Sequence, residues 1–244
     1  MKVRFWGTRG SLAVAQKAAT VGDKIAAALV AANGRTFADV AEARAFAEAE
    51  LDFATFGTYG GATSCVEIQA GGENDAFIVC DLGSGLREFG LDAMGRCARG
   101  HARVYHVFLS HLHWDHICGL PFFVPVFDPN AEVVIHSGHP DAETALRRQQ
   151  EEISFPVAFD WLRAKISFRT LEVGTRYPIG AVTVEMIEQH HSHLSYGYKF
   201  TDAAGKSVVY STDSEHKIDK MDAETAFVGL KDNFETIIYA EKRK

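Results

Sequence analysis

The stretch Ser110-His111-Leu112-His113-Trp114-Asp115-His116 constrains this chain more than any other. Three histidines and one aspartate fall within six residues, directly after the apolar run Val104 to Leu109. A polar loop that is merely rich in histidine is the bland reading; metal ligation is favoured over it by the density of imidazoles at one strand end. Histidines two apart at such an end can both face one cation, because the strand alternates and the turn beyond it closes the angle. The Asp115-His116 step then falls on the other side of the loop and can serve a second ion. Four ligands on one short loop cannot close around a single tetrahedral ion without distant residues. The chain offers those at two later strand ends, His191 and Asp213.

The rest of the composition narrows the class. A chain of 244 residues fits one large domain or two small ones and can bury a sizeable core. The formal charge of −7 gives no steering toward nucleic acid, so RNA is a disfavoured partner unless bound cations reverse the local field. The four cysteines, Cys65, Cys80, Cys97 and Cys118, show neither Cys-x-x-Cys nor a disulfide framework, as expected of free thiols in a reducing cytosol. Cys65 and Cys80 read as small buried hydrophobes, and Cys118 stands close enough to the histidine cluster to line a pocket. Met1 to Gly7 lacks the apolar segment of a signal peptide, and no run of 18 apolar residues is present. A cytoplasmic protein without a membrane span is the expectation.

In chain order, Val3 to Trp6 reads as a strand ended by Gly7-Thr8-Arg9-Gly10-Ser11. Residues 17 to 54 are rich in alanine, with Val21, Ile25, Ala28, Leu29 and Ala32 at helical spacing and Asn33-Gly34 as a stop. Thr36 with Asp39 resembles a capping box, and Val40, Arg44, Ala47 and Leu51 carry a second helical face. This predicts an αα-hairpin inserted at about 17–54 in a single domain spanning 1–244, serving either as extra packing or as a lid or dimer surface. Thr58 to Ser64 forms a second glycine-centred loop. Strands follow at Cys65 to Gln69 and Ala76 to Cys80, then Asp81-Leu82-Gly83-Ser84-Gly85 and a helix marked by Leu86, Phe89 and Met94. Asp81 is placed equally well to cap that helix or to stand behind a ligand at the strand end. Further strands are expected at Arg103 to Leu109, Glu132 to His136 and Ala181 to Glu188. Ser195 to Phe200 and Lys206 to Tyr210 read as a hairpin, and Thr236 to Ala240 as a last strand. A charged helix is expected over about 141–151, and the bulky segment from Phe155 to Ile166 as core or pocket wall. The pattern suggests two mixed sheets covered by helices.

The set His111-x-His113-x-Asp115-His116, His191 and Asp213 resembles the metallo-β-lactamase superfamily. The resemblance runs over nearly the whole chain and includes Phe5 to Ser11, Tyr59 to Cys65, Asp81-x-Gly83-x-Gly85 and Ser211 to His216. These segments look more like the phosphodiesterase branch, with ribonuclease Z relatives, than like true β-lactamases. The resemblance implies an α/β fold, an αβ/βα four-layer sandwich with a binuclear centre at the sheet edges. By motif position, one metal takes His111, His113 and His191; the other takes Asp115 and His116, and Asp213 bridges both. Counting back from Ser195-Tyr196-Gly197-Tyr198 selects His191, with His190 and His193 as alternatives. His216 is near enough to Asp213 in sequence to act as a proton donor or as support for the site. Relatives carry a further histidine after the last strand; this chain has none after His216, so a weaker second metal site is expected.

The function implied is metal-dependent hydrolysis of a small phosphodiester, such as a cyclic nucleotide, with Asp115, Asp213 and His216 as catalytic candidates. The glycine loops at 7–11 and 58–64 are expected to offer backbone N–H groups to its phosphate oxygens. Two Zn²⁺ ions suit imidazole and carboxylate ligands, with Mn²⁺ or Fe as alternatives. Four competing readings stay open. They are hydrolysis of a lactone, thioester or β-lactam, a tRNA 3′-processing endonuclease, a non-catalytic metal-binding module, and a homo-oligomer that uses the insertion.

Overall fold

The computed structural model describes residues 1–71, 75–191 and 194–214, together with the backbone of Ile237–Ala240. The chain divides into two compact units, Val14–Gly61 and the remainder, Met1–Ala13 with Ala62–Lys244.

In the larger unit, one sheet runs in the order β1 (Lys2–Gly7), β2 (Cys65–Gln69), β3 (Phe77–Cys80), β4 (Val104–Leu109), β5 (Glu132–Ser137), β6 (Lys165–Thr170). The first two pairings are antiparallel and the last three parallel. The second sheet runs β11 (Ile237–Ala240), β10 (Ser207–Thr212), β9 (Leu194–Asp202), β8 (Val182–His190), β7 (Arg176–Ile179), antiparallel except for β10 with β11. The mixed α/β architecture expected from the sequence is therefore present.

Its cause is visible in β3. Strands buried on both faces read as continuous apolar runs. Phe77 and Val79 enter the cluster beneath the helices, while Ile78 and Cys80 enter the cluster between the two sheets. The helix that follows β3 (Leu86–Ala98) buries Leu86, Phe89, Ala93 and Cys97, one stripe at helical spacing, against the first cluster. Val184, Met186, Tyr198, Phe200, Val208 and Tyr210 of the second sheet close the other cluster. Among the described residues, no helix is long and apolar enough to cross a membrane.

Two strands were not anticipated. The segment after Phe155 holds a 3-10 turn at Phe159–Trp161 and then β6, and β7 follows it. Each lies at a sheet edge, where a half-exposed strand has little apolar alternation to reveal it.

The smaller unit contains helices Ala18–Ala31, Val40–Glu50 and Phe53–Phe56. The capping box is shifted from Thr36-Asp39 to the next overlapping pair. Asp39 accepts from the Glu42 amide at 2.9 Å, and the Glu42 carboxylate accepts from Ala38 N at 2.7 Å. The first helix docks against the third, with Lys24 Nζ donating to the carbonyls of Ala54 and Gly57, each at 2.5 Å.

One part-buried histidine pair in the first sheet links the fold to pH. His106 Nδ1 and His136 Nε2 lie 3.0 Å apart, and His136 stacks on Phe108 with centroids 4.7 Å apart. Burial, reinforced by His106 and Arg169, pushes His136 down to about 3. Folded His136 thus stays neutral where the unfolded chain is protonated, below its ordinary value of 6.5. Stability contributed by the neutral form is full above that value and drains as pH falls toward 3. The wild type should lose up to about 1.4 kcal/mol per pH unit through this residue across that window. Urea denaturation of His136→Leu at a series of pH values should give a shallower acid slope; an unchanged slope would refute the assignment.

Candidate metal centre

Three strand ends converge in the larger unit. β4 runs into Ser110 and the loop that carries His111 and His113, and a single helical turn at Trp114–Ile117 then presents Asp115 and His116. His191 follows β8, and Asp213 follows β10. The sheets are tied together there, with Tyr196 N donating to Ser110 O at 2.8 Å and Tyr198 OH to Leu109 O at 2.5 Å.

The side chains form two sets sharing one member: His111, His113, His191 and Asp213, and Asp115, His116 and Asp213. Asp213 Oδ2 is 3.6 Å from His111 Nε2, 3.7 Å from His116 Nε2 and 3.7 Å from His191 Nε2. His116 Nε2 lies 3.6 Å from Asp115 Oδ2, and His111 Nε2 lies 3.0 Å from His113 Nδ1. Ligands about 2.1 Å from a tetrahedral zinc stand about 3.4 Å apart, so these spacings suit a shared cation. The buried polar atoms make a stronger test. His116 Nε2, His191 Nε2 and Asp213 Oδ2 are buried with no hydrogen-bond partner. Such atoms are costly unless something completes them, and a divalent cation does so for lone pairs facing inward. The donor set fits a pair of such ions.

Protonation differs between the two sets. Burial first, then His116, His113 and His191, depress the His111 pKa far below the ordinary value, leaving a neutral imidazole. Burial and His191 likewise lower that of His113. Burial opposes charge on His116 too, but Asp81, Asp115 and Asp213 together outweigh it and raise the pKa. Asp81 Oδ2 accepts from His116 Nδ1 at 2.6 Å, Tyr210 OH at 2.5 Å and Ser110 Oγ at 2.8 Å, and Oδ1 accepts from Ser110 N at 2.8 Å. Of the two roles open to Asp81, the structure therefore shows the second, a carboxylate behind a ligand. The helix after it is capped instead at Gly85 without a side-chain bond. With Nδ1–H committed to Asp81, His116 turns Nε2 toward the cluster.

The glycine-centred loops do something other than offer free amides to phosphate. Thr8 N and Arg9 N both donate to Ala62 O, Thr63 N donates to Ser84 Oγ, and Ser11 N donates to Asp115 Oδ2 at 2.5 Å. These loops buttress the site rather than cradle an anion. Two glycines of other turns, Gly83 and Gly119, permit close approach beneath it. A Cβ on Gly83 would lie 2.5 Å from both Asp115 O and Ser64 O, and one on Gly119 2.1 Å from Gly83 O. Leu82 N to His116 O at 2.8 Å and Gly119 N to Leu82 O at 2.7 Å fix the ligand turn on that floor.

Strain is concentrated at the same place. Among the described residues, the non-glycine residues with positive φ are Ser11 (66°), Asp81 (61°) and Asp213 (28°), all at this centre. Of the alternatives to His191, His190 is exposed on β8 and belongs to neither set. His193 and His216 lie outside the described residues. Sequence reasoning passed over Ser110, Tyr210 and the Ser11 amide, which act through hydrogen bonds that leave no spacing signature. His139 Nε2 is 3.3 Å from Ser110 O, and its ring lines a cavity of about 550 Å³ with His111, Leu112, His113 and Leu194. A second cavity, of about 510 Å³, adjoins Asp115 and is walled by Trp114, Phe122, Phe155 and Cys118.

No curated protein sequence matches the chain. Among solved structures, the metallo-β-lactamase fold protein YhfI from Bacillus subtilis is 19% identical, covering 74% of this chain and 64% of that one, with a TM-score of 0.48. Unliganded yeast PDE1 is 13% identical over 65% of this chain and 63% of that one, with a TM-score of 0.47. The short form of human tRNase Z is 13% identical over 93% and 72%, with a TM-score of 0.46. The chain thus spans less than two thirds of the first two. The family model described as the β-lactamase superfamily domain matches residues 78–229, more than half of the chain and a span that holds every residue of both candidate sets. This chain belongs to the β-lactamase superfamily.

Proposed function

We propose that the protein is a metal-dependent hydrolase of a small phosphodiester, of the phosphodiesterase and ribonuclease Z-like branch, with two divalent ions. The observation that carries the reading is the position of Asp213 Oδ2, at 3.6 to 3.7 Å from imidazole nitrogens of both ligand sets. A carboxylate so placed suits a bridge between paired ions. His111, His113, His191 and Asp213 would hold one, and Asp115, His116 and Asp213 the other. Zn²⁺ is preferred for the imidazole-rich set, with Mn²⁺ or Fe as alternatives. When bound, such a pair acidifies water and draws charge from phosphoryl oxygens.

The chain's own contribution is orientation. Ser11 N holds Asp115, Asp81 holds His116, and the burial of His111 keeps it unprotonated. In the reaction a water oxygen bonds to phosphorus, the bond to one ester oxygen breaks, and the departing alkoxide takes up a proton. Asp115 and Asp213 are the carboxylates positioned to manage that proton within the cluster. The net charge of −7 favours a small substrate over a long polyanion such as tRNA. The second set has three members among the described residues against four in the first, so the second ion should be the weaker.

The zinc-loaded chain should hydrolyse bis(4-nitrophenyl) phosphate, and His113→Ala should lose about 10²-fold or more. Equal rates would overturn the proposal. A chromogenic β-lactam, a lactone and a thioester assayed alongside separate the other hydrolase readings. Metal analysis giving about two ions per chain separates catalysis from a degenerate site.

A further inference from the structure

The cavity of about 510 Å³ beside Asp115 has a composition that the metal centre does not explain. Trp114 is 70% exposed and Phe122 53% exposed, unusual for side chains of their size. Phe122 and Phe155 meet edge to face, with centroids 5.6 Å apart and planes at 89°, so the wall is an ordered aromatic corner rather than scattered residues. The polar groups of its floor are already used. Thr63 and Ser84 bond each other reciprocally at 2.8 and 2.9 Å, and Gln149 Nε2 donates to Ile117 O at 3.1 Å. The floor therefore offers few hydrogen bonds to a sugar or a polar chain.

One residue joins this cavity to the chemistry. Asp115 lines it while its Oδ2 stands 3.6 Å from His116 Nε2. Anything that fills the cavity thus ends at the second ligand set. Arg87, also in the lining, is ion-paired with Glu88 and keeps its remaining guanidinium N–H groups for an anionic linker. We propose that this cavity is a specificity pocket for a planar aromatic arm of the substrate, attached through an anionic phosphoryl group that reaches the centre past Asp115. The inference rests on the diester reading only for the nature of the linking group.

Phenylphosphonate and methylphosphonate probe the pocket without turnover, since their P–C bonds are not hydrolysed. Calorimetry on the zinc-loaded full chain should show phenylphosphonate bound about tenfold more tightly. Phe122→Ala and Phe155→Ala should each bring the ratio toward one, with thermal denaturation confirming that both variants fold. Val173→Ser, an exposed apolar position outside the cavity, should keep the ratio. In parallel, KM for bis(4-nitrophenyl) phosphate should rise several-fold in Phe122→Ala with a smaller change in kcat. Equal affinities in the wild type, or a preference that survives both phenylalanine variants, would overturn the pocket. If the wild type fails to hydrolyse diesters yet keeps the phenyl preference, the diester reading falls and the aromatic pocket stands. If diesters are cleaved with no phenyl preference, the reverse holds.

Discussion

Asp213→Ala is expected to lose both metal ions and about 10³-fold of diester hydrolysis, a larger effect than removal of any single histidine. The reason is its place in both ligand sets. His191→Ala should weaken one ion and His116→Ala the other, whereas the alanine at 213 removes the shared member. Metal content after gel filtration, measured by mass spectrometry, reads the difference. Retention of two ions by Asp213→Ala would refute the bridging role. The metal-free protein adds a second readout. Asp213 has φ of 28°, and its buried Oδ2 faces imidazole nitrogens without a donor. A strained backbone of this kind costs about 1–3 kcal/mol, and an unsatisfied buried carboxylate adds to it. Asp213→Gly should therefore raise the melting temperature of the metal-free chain and lower that of the zinc-loaded chain. A shift of the same sign in both states would show that the strain is unrelated to the ions.

The parts of this centre that were legible in the sequence are those with a spacing. His111, His113, Asp115 and His116 are adjacent, and a strand end followed by a tight turn forces adjacent ligands to converge. Apolar alternation likewise marked the central strands, because β3 and β4 are covered on both sides and cannot carry polar residues freely. β6 and β7 escaped because edge exposure dilutes that signal. Counting back from Ser195-Tyr196-Gly197-Tyr198 selected His191, and on β8, where successive residues alternate sides, His190 is exposed. The supporting shell was the least legible. Ser11, Ser110 and Tyr210 lie up to 199 positions apart in the chain and act through long-range hydrogen bonds, which no local pattern encodes. The glycines were visible, but their purpose was misread. Free amides for phosphate were expected, whereas the loops spend their amides on Ala62, Ser84 and Asp115.

Asp81 carries the most consequential of those long-range bonds, and its two substitutions should separate folding from ligation. Asp81→Ala leaves Ser110 N, Ser110 Oγ, Tyr210 OH and His116 Nδ1 without their acceptor in a fully buried site. It also puts a β-carbon with no compensating polar group at φ of 61°. Loss of one partner from a buried charged network costs about 3–5 kcal/mol, enough to unfold much of a marginal domain. Asp81→Asn is the informative variant. Asparagine tolerates the left-handed region and keeps one oxygen for Ser110, so most of the fold should survive. Its amide, however, presents a donor to His116 Nδ1. The imidazole answers by accepting there, which moves its proton to Nε2, the atom that faces Asp115 and Asp213. A protonated Nε2 cannot ligate. Zinc affinity of the second set should fall about 10–100-fold while the first ion stays bound, and hydrolysis should fall with it. Competition with a chromogenic chelator reads the two affinities, and ¹⁵N chemical shifts of His116 in the metal-free chain read the tautomer. If Asp81→Asn binds both ions as the wild type does, or if His116 keeps its proton on Nδ1, then the carboxylate serves the fold alone and not the metal.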